Sequence, residues 1–147
     1  LYIAGDGTAK QKNALLALVQ SLDIKQHITF LGQVSNAPTW LEACDIFIQP
    51  SIEEAFGLVF VEAGAKAKPT VATNVGGIKE IIVHEETGIL VTPASPDELT
   101  EAIARLITSK PLRVQYGENA FKRISKHFSI DHMIKQYQKI FQQVIDS

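Results

Sequence analysis

One cysteine, one methionine and one tryptophan stand among 147 residues. With Cys44 alone, neither a disulfide framework nor a thiolate zinc site can form, which agrees with a cytoplasmic location. Cys44 itself is expected as a small buried hydrophobe. Charge of one sign is also lacking: 14 Lys and Arg face 16 Asp and Glu, a net charge of -2. That balance gives no electrostatic case for nucleic acid or for an anionic membrane surface. No apolar run approaches the roughly 20 residues of a membrane-spanning helix, and no signal-peptide pattern is visible. Two nucleotide-binding fingerprints are missing. GDG at Gly5–Gly7 is not Gly-x-Gly-x-x-Gly, because Lys10 occupies the third glycine position, and there is no Walker lysine motif. Asp-x-Asp does not occur, and the acids do not cluster at magnesium-ligand spacing, so no metal or other cofactor is expected.

What remains is 46% hydrophobic and 20% charged, the composition of one globular domain with a real core. Short β-rich runs at Leu1–Ala4, Ile28–Leu31, Asp45–Gln49, Thr70–Thr73 and Ile89–Val91 alternate with helical spacing. Leu15, Leu18 and Leu22 make one apolar stripe, and residues 36–44 read as a short helix with Pro38 in its first turn. GLVFVEAGA suits strand or helix alone. Between two parallel strands it must be a crossover, hence a helix. The rhythm predicts a parallel α/β sheet with helices on both faces. From Pro96 onward the pattern is wholly helical. Ala102, Ile103, Leu106 and Ile107 form one stripe, and Ile134, Tyr137, Ile140, Phe141 and Val144 another.

The chemistry concentrates in EEAFGLVFVE, where Glu54 and Glu62 bracket seven uncharged residues. A helix starting at Gly57 is apolar nearly all round and is expected to be buried. A carboxylate inside it needs hydroxyl or N–H partners, or an exit to a sheet edge. In open α/β sheets the crevice lies at the carboxyl ends of the strands. That would place Glu54 in the crevice and the amides of Phe56, Gly57 and Leu58 at a helix start, where they suit a phosphate. Glu62 could then take a ribose diol. GDG and NVGG (residues 74–77) are two more glycine turns on the same edge. The plain alternative makes Glu54 a helix-start residue and Glu62 a solvated face. His84, Glu85 and Glu86 read as a solvated polar turn.

GDG, ITFLGQV, DIFIQPSIEEAFGLVFVEA, KPTVATNVGGIKEII, TGILVTP and FSIDHMIKQY follow one another in this order. The set resembles the C-terminal, donor-binding half of GT-B retaining glycosyltransferases of the glycosyl transferase group 1 family, whose signature is Glu, seven residues, Glu. The resemblance covers nearly the whole chain and implies a Rossmann-like donor domain over residues 1–147, with a helical tail from about residue 96. It implies a nucleoside-diphosphate sugar as ligand and transfer of its hexose with retention. By position, Glu54 is implied as the catalytic acid beside the donor sugar, and Phe56, Gly57 and Leu58 as the backbone meeting sugar and diphosphate. Glu62 is implied on the ribose hydroxyls, Val34 near the base, and Gly76 and Gly77 in a neighbouring loop.

Three departures stand out against the family: Ala55 for a common glycine, Gly64 for a bulkier residue, and Ala67 for a glycine before Lys68-Pro69. Gly64 is expected to leave a packing gap. The run LYIAG resembles the second strand of the domain. The central first strand, a basic diphosphate clamp and the acceptor-binding N-terminal domain are therefore expected outside this chain, together with any peripheral membrane contact. Strands 1–4 and 45–49 would then flank a vacancy or close across it, and the chain alone would be inactive. The alternatives are a non-catalytic nucleotide-sugar-binding module and a GT-B relative such as a sugar-nucleotide epimerase.

Overall fold

The computed structural model describes residues 1–146. The chain divides into two units, Leu1–Ala37 and the remainder from Pro38. The first holds β1 (Tyr2–Ala4), α1 (Ala9–Ser21) and β2 (Thr29–Gly32). β1 and β2 run parallel, with Tyr2 opposite Thr29 and Ile3 opposite Phe30. α1 starts cleanly because Thr8 and Gln11 form a capping box. The Gln11 amide donates to Thr8 Oγ1 at 3.3 Å, and the Thr8 amide donates to Gln11 Oε1 at 2.9 Å. The leucine stripe of α1 is an open face. Leu15, Leu18 and Leu22 are exposed, and Val19 is the buried residue of α1.

The second unit contains α2 (Ala37–Ala43, straddling the boundary), β3 (Phe47–Gln49), α3 (Leu58–Ala65), β4 (Thr70–Thr73), α4 (Ile78–Ile81), β5 (Gly88–Val91), α5 (Pro96–Thr108), α6 (Lys110–His127) and α7 (Ile130–Ile145). β3, β4 and β5 form a parallel sheet in that order, so β4 is central and all four of its residues are buried. Side chains alternate across a strand, and β4 uses both faces. Ala72 packs with Phe60, Ile78, Ile81, Ile82 and Ile124, while Val71 packs with Ile89, Val91, Ala102, Leu106 and Tyr116. Two apolar layers therefore sandwich one sheet, as a parallel sheet requires. β1 and β2 make a two-stranded sheet within the first unit, and β3, β4 and β5 a three-stranded sheet within the second.

α6 packs closely on α3 and on the turn that follows it. A Cβ at Gly64 would lie 2.6 Å from Ile124 Cγ1, so Ile124 fills the space where a packing gap was expected. A Cβ at Gly117 would lie 2.1 Å from the carbonyl oxygen of Ala67. Two arginines tie helix ends, whose last carbonyls lack intrahelical donors. Arg113 Nη1 donates to the Leu106 and Ile107 carbonyls at 2.7 and 2.9 Å, and Arg123 Nε donates to the Ile81 carbonyl at 2.8 Å.

Two expectations change in this unit. The turn at His84–Glu86 is not merely solvated. Glu85 accepts both Arg105 Nη atoms, at 2.7 and 2.8 Å, and the Tyr116 hydroxyl at 2.7 Å. The arginine, ahead of the tyrosine, holds the Glu85 carboxyl down at about 2. Desolvation, reinforced by Glu85, pushes the Tyr116 phenol up to about 12. The apolar stripe of α7 is open: Tyr137 is 56% and Phe141 63% exposed, and no residue of the helix is buried. Cys44 is only half-buried, its Sγ 3.2 Å from the Leu41 carbonyl, and burial raises its thiol pKa. No helix among the described residues is long and apolar enough to cross a membrane.

Candidate functional site

The segment from Pro50 to Gly57 leaves the carboxyl end of β3 and turns into α3. Gly57 makes the turn: it is the residue before the helix, with φ 87° and ψ 60°, a left-handed conformation that side-chain-bearing residues adopt at a cost. Space excludes a side chain as well. A Cβ at Gly57 would lie 2.5 Å from Phe60 Cδ2 and 3.3 Å from Glu54 Cγ. No side chain caps the start of α3. Its first amides therefore lack the side-chain oxygen that commonly satisfies them.

Glu54 is half-buried in this turn. Gln49, the last residue of β3, donates from Nε2 to Glu54 Oε2 at 3.3 Å and to Ser51 Oγ at 3.3 Å. The turn rests on the loop after β4. The Thr73 hydroxyl donates to the Ser51 carbonyl, and the Gly77 amide donates to the Ala55 carbonyl at 3.2 Å. Gly76 passes so close that a Cβ there would sit 1.7 Å from the Glu54 carbonyl oxygen, and its φ is 49°. Gly76 and Gly77 thus have a structural reason to be glycine: they form the surface against which the Glu54 turn is laid. Phe56 stacks at a tilt on Phe128, centroids 6.3 Å apart, and Arg123 lies over the other aromatic partner, 5.9 Å from the Phe128 centroid.

Glu62 departs from expectation. α3 is not apolar and buried on every side. Phe60, Ala63 and Gly64 are buried, but Leu58 is 68% exposed and Glu62 is exposed. The helix has an inner face against β4 and α6, and Glu62 stands on its open side, so no burial cost arises. It lies about 7–8 Å along the helix axis from Gly57. The structure thus brings Glu54, Phe56, Gly57, Gly76 and Gly77 into one cluster, with Leu58 and Glu62 on the helix that leaves it. Val34 follows β2 in the first unit and is half-buried. The third glycine turn is also in the first unit, where Asp6 pairs with Lys12 and accepts the Gly7 amide at 2.9 Å. That ion pair and the amide lower the Asp6 carboxyl pKa.

Sequence reasoning passed over Gln49 and Thr73. A lone glutamine at a strand end carries no pattern. Only the knowledge that the chain doubles back within five residues would have placed its amide beside Glu54. Chemically the cluster offers a carboxylate acceptor fixed at a strand end, unclaimed amides beside it and a second carboxylate one and a half turns along.

The model of the family described as glycosyl transferases group 1 matches residues 1–123. This chain belongs to that family. Among its group 1 relatives is N-acetyl-alpha-D-glucosaminyl L-malate synthase of Bacillus anthracis, 32% identical over 99% of this chain and 38% of the synthase. The crystal structure of Anabaena HepE in complex with UDP-glucose superposes with a TM-score of 0.87 at 28% identity, over 97% of this chain and 40% of that one. The C-terminal domain of the group 1 protein LpcC from Francisella tularensis gives a TM-score of 0.78 at 30% identity, over 83% of this chain and 64% of that domain chain. The fold is that of a GT-B C-terminal domain. The chain spans about two fifths of the synthase and of HepE.

Proposed function

We propose that this chain is the donor-binding domain of a glycosyltransferase that uses a nucleoside-diphosphate sugar and transfers the hexose with retention. The observation that carries the reading is the Glu54 turn itself. A half-buried carboxylate is held at a strand end beside an uncapped helix start, with a second carboxylate further along the same helix. A diphosphate suits the amides of Phe56, Gly57 and Leu58, since a helix start presents N–H groups and the positive end of the helix dipole. Glu54 then accepts hydroxyl hydrogen bonds from the sugar, and Glu62, exposed on α3, accepts those of the ribose. Gly76 and Gly77 line the loop under the sugar. The relative HepE was solved with UDP-glucose, which supports a nucleotide sugar as the ligand class.

In the reaction, the acceptor hydroxyl attacks the anomeric carbon from the face that the diphosphate leaves, and the departing diphosphate takes up the hydroxyl proton. Positioning and stabilisation of leaving-group charge lower the barrier, with no protein nucleophile. The acceptor is held by parts of the protein outside this chain. In this reading donor binding needs no divalent ion, since the sequence holds no Asp-x-Asp pair. Titration calorimetry on the intact enzyme tests the assignment. Glu62→Ala should weaken nucleotide binding roughly 10-fold or more, the loss of two charge-assisted hydrogen bonds. Glu54→Ala should lower turnover more than nucleotide affinity. Unchanged nucleotide affinity in Glu62→Ala would remove the ribose role.

A further inference from the structure

We infer that Gln49 is a positioning residue for Glu54, setting the carboxylate for the sugar part of the donor. The inference rests on the donor-binding reading and adds to it a residue outside the two-acid motif. Three observations carry it. First, the contact is direct: Gln49 Nε2 lies 3.3 Å from Glu54 Oε2, and the same amide group lies 3.3 Å from Ser51 Oγ. An amide NH2 has two donor hydrogens, so one group can serve both oxygens. Second, Gln49 is itself fixed. It ends β3 and pairs with Ala72 in register, so its Cα is set by the sheet rather than by the turn. Third, the backbone of the turn has no freedom to compensate. Thr73 holds the Ser51 carbonyl, Gly77 holds the Ala55 carbonyl, and Gly76 presses on the Glu54 carbonyl. What these contacts leave undetermined is the side-chain torsion of Glu54, and the Gln49 amide supplies that restraint.

A carboxylate with one oxygen held by Gln49 presents the other oxygen, Oε1, in one direction. Without the amide it samples several rotamers, and ligand hydroxyls must order it on binding. The loss should therefore fall on the sugar and not on the nucleotide. It should also vanish when Glu54 is already altered, because Gln49 acts only through it.

The test uses the intact enzyme and binding of UDP, GDP and ADP, each with and without an attached hexose. For the nucleotide that binds, the ratio of bare to sugar-linked Kd isolates the sugar contribution. Gln49→Met keeps the side-chain length and removes the donor. It should reduce that ratio roughly 2- to 10-fold, the range of one hydrogen bond, and leave the bare-nucleotide Kd within about twofold. Gln49→Glu places a like charge beside Glu54 and should reduce it further. In a Glu54→Gln background, Gln49→Met should change the ratio by less than about twofold. A loss shared equally by bare and sugar-linked nucleotide would overturn the inference as mere structural damage. So would an undiminished effect of Gln49→Met in the Glu54→Gln background. If Glu54→Gln itself leaves the ratio unchanged, Glu54 does not meet the sugar, and the parent reading fails in a separately visible way. Binding of none of the six ligands defeats both.

Discussion

Replacing Gly117 by alanine sets two effects of opposite sign against each other. Gly117 lies inside α6, where alanine is preferred over glycine by about 0.8–1 kcal/mol. Propensity alone predicts a more stable protein. The added Cβ, however, would stand 2.1 Å from the Ala67 carbonyl oxygen and 3.0 Å from the Ala67 carbonyl carbon. Ordinary contact begins near 3.4 Å, so α6 must retreat by 3.4 − 2.1, or about 1.3 Å. The obstacle is backbone and cannot rotate away. A retreat of that size opens the contacts of Tyr116, Ala120 and Ile124 with the layers beneath, and a gap of about 1 Å forfeits up to half of each dispersion well. An overlap with backbone belongs at the upper end of the usual overpacking cost, about 3 kcal/mol, leaving a net loss of about 2 kcal/mol after the helical gain. Urea unfolding followed by far-UV circular dichroism should show the midpoint falling by roughly 1 M at unchanged slope. Gly64→Ala is the control. Its obstacle, 2.6 Å away, is the Ile124 side chain, which can shift, so the loss should be smaller. A Gly117→Ala protein as stable as the parent, or more so, would refute the steric argument.

Ala67 has φ 53°, a left-handed conformation that costs a Cβ-bearing residue about 1–2 kcal/mol. Ala67→Gly should therefore raise stability by about 0.5–1 kcal/mol after the extra freedom of the unfolded chain is subtracted, measurable by thermal unfolding. Glu85 titrates at about 2 in the fold instead of the ordinary 4.5, so its contribution is complete above pH 4.5 and is lost as pH falls toward 2. The stability difference between the parent and Glu85→Gln should accordingly shrink across that interval; a difference independent of pH there would remove the ion pair as its source. Sugar transfer by the intact enzyme should persist in excess chelator, and activity restored only by manganese would show that a metal takes part.

Much of the fold was legible because it is periodic. Thr70–Thr73 was read to the residue, and the crossover argument correctly turned GLVFVEAGA into a helix although its valines and phenylalanine also suit strands. The turn of Glu54 was legible too, since a strand that feeds a crossover helix must turn at its carboxyl end. Burial was less so. Periodicity says which residues share a face and not whether that face is covered, and the stripes of α1 and α7 are left open. The all-round burial expected of α3 failed for a related reason: a short helix rich in apolar residues still has one open side, and Glu62 marks it. Contacts between distant segments were invisible in principle. Nothing in the sequence joins Glu85 to Arg105 and Tyr116, 20 and 31 residues away, or Gly76 to the Glu54 carbonyl, because each pairing is created by the intervening fold.

The burial of β4 on both faces and both edges has a kinetic meaning. Its amides lie between β3 and β5, with an apolar layer above and another below. No local fraying can admit water to Val71 or Ala72 without dismantling one of those neighbours. Their hydrogen exchange therefore reports complete unfolding of the second unit. α7, with no buried residue, opens through helix–coil fluctuation alone. The same polypeptide thus spans the full range of opening free energies, from near zero at one end of the chain to the global value at the strand that carries Thr73 to the Glu54 turn.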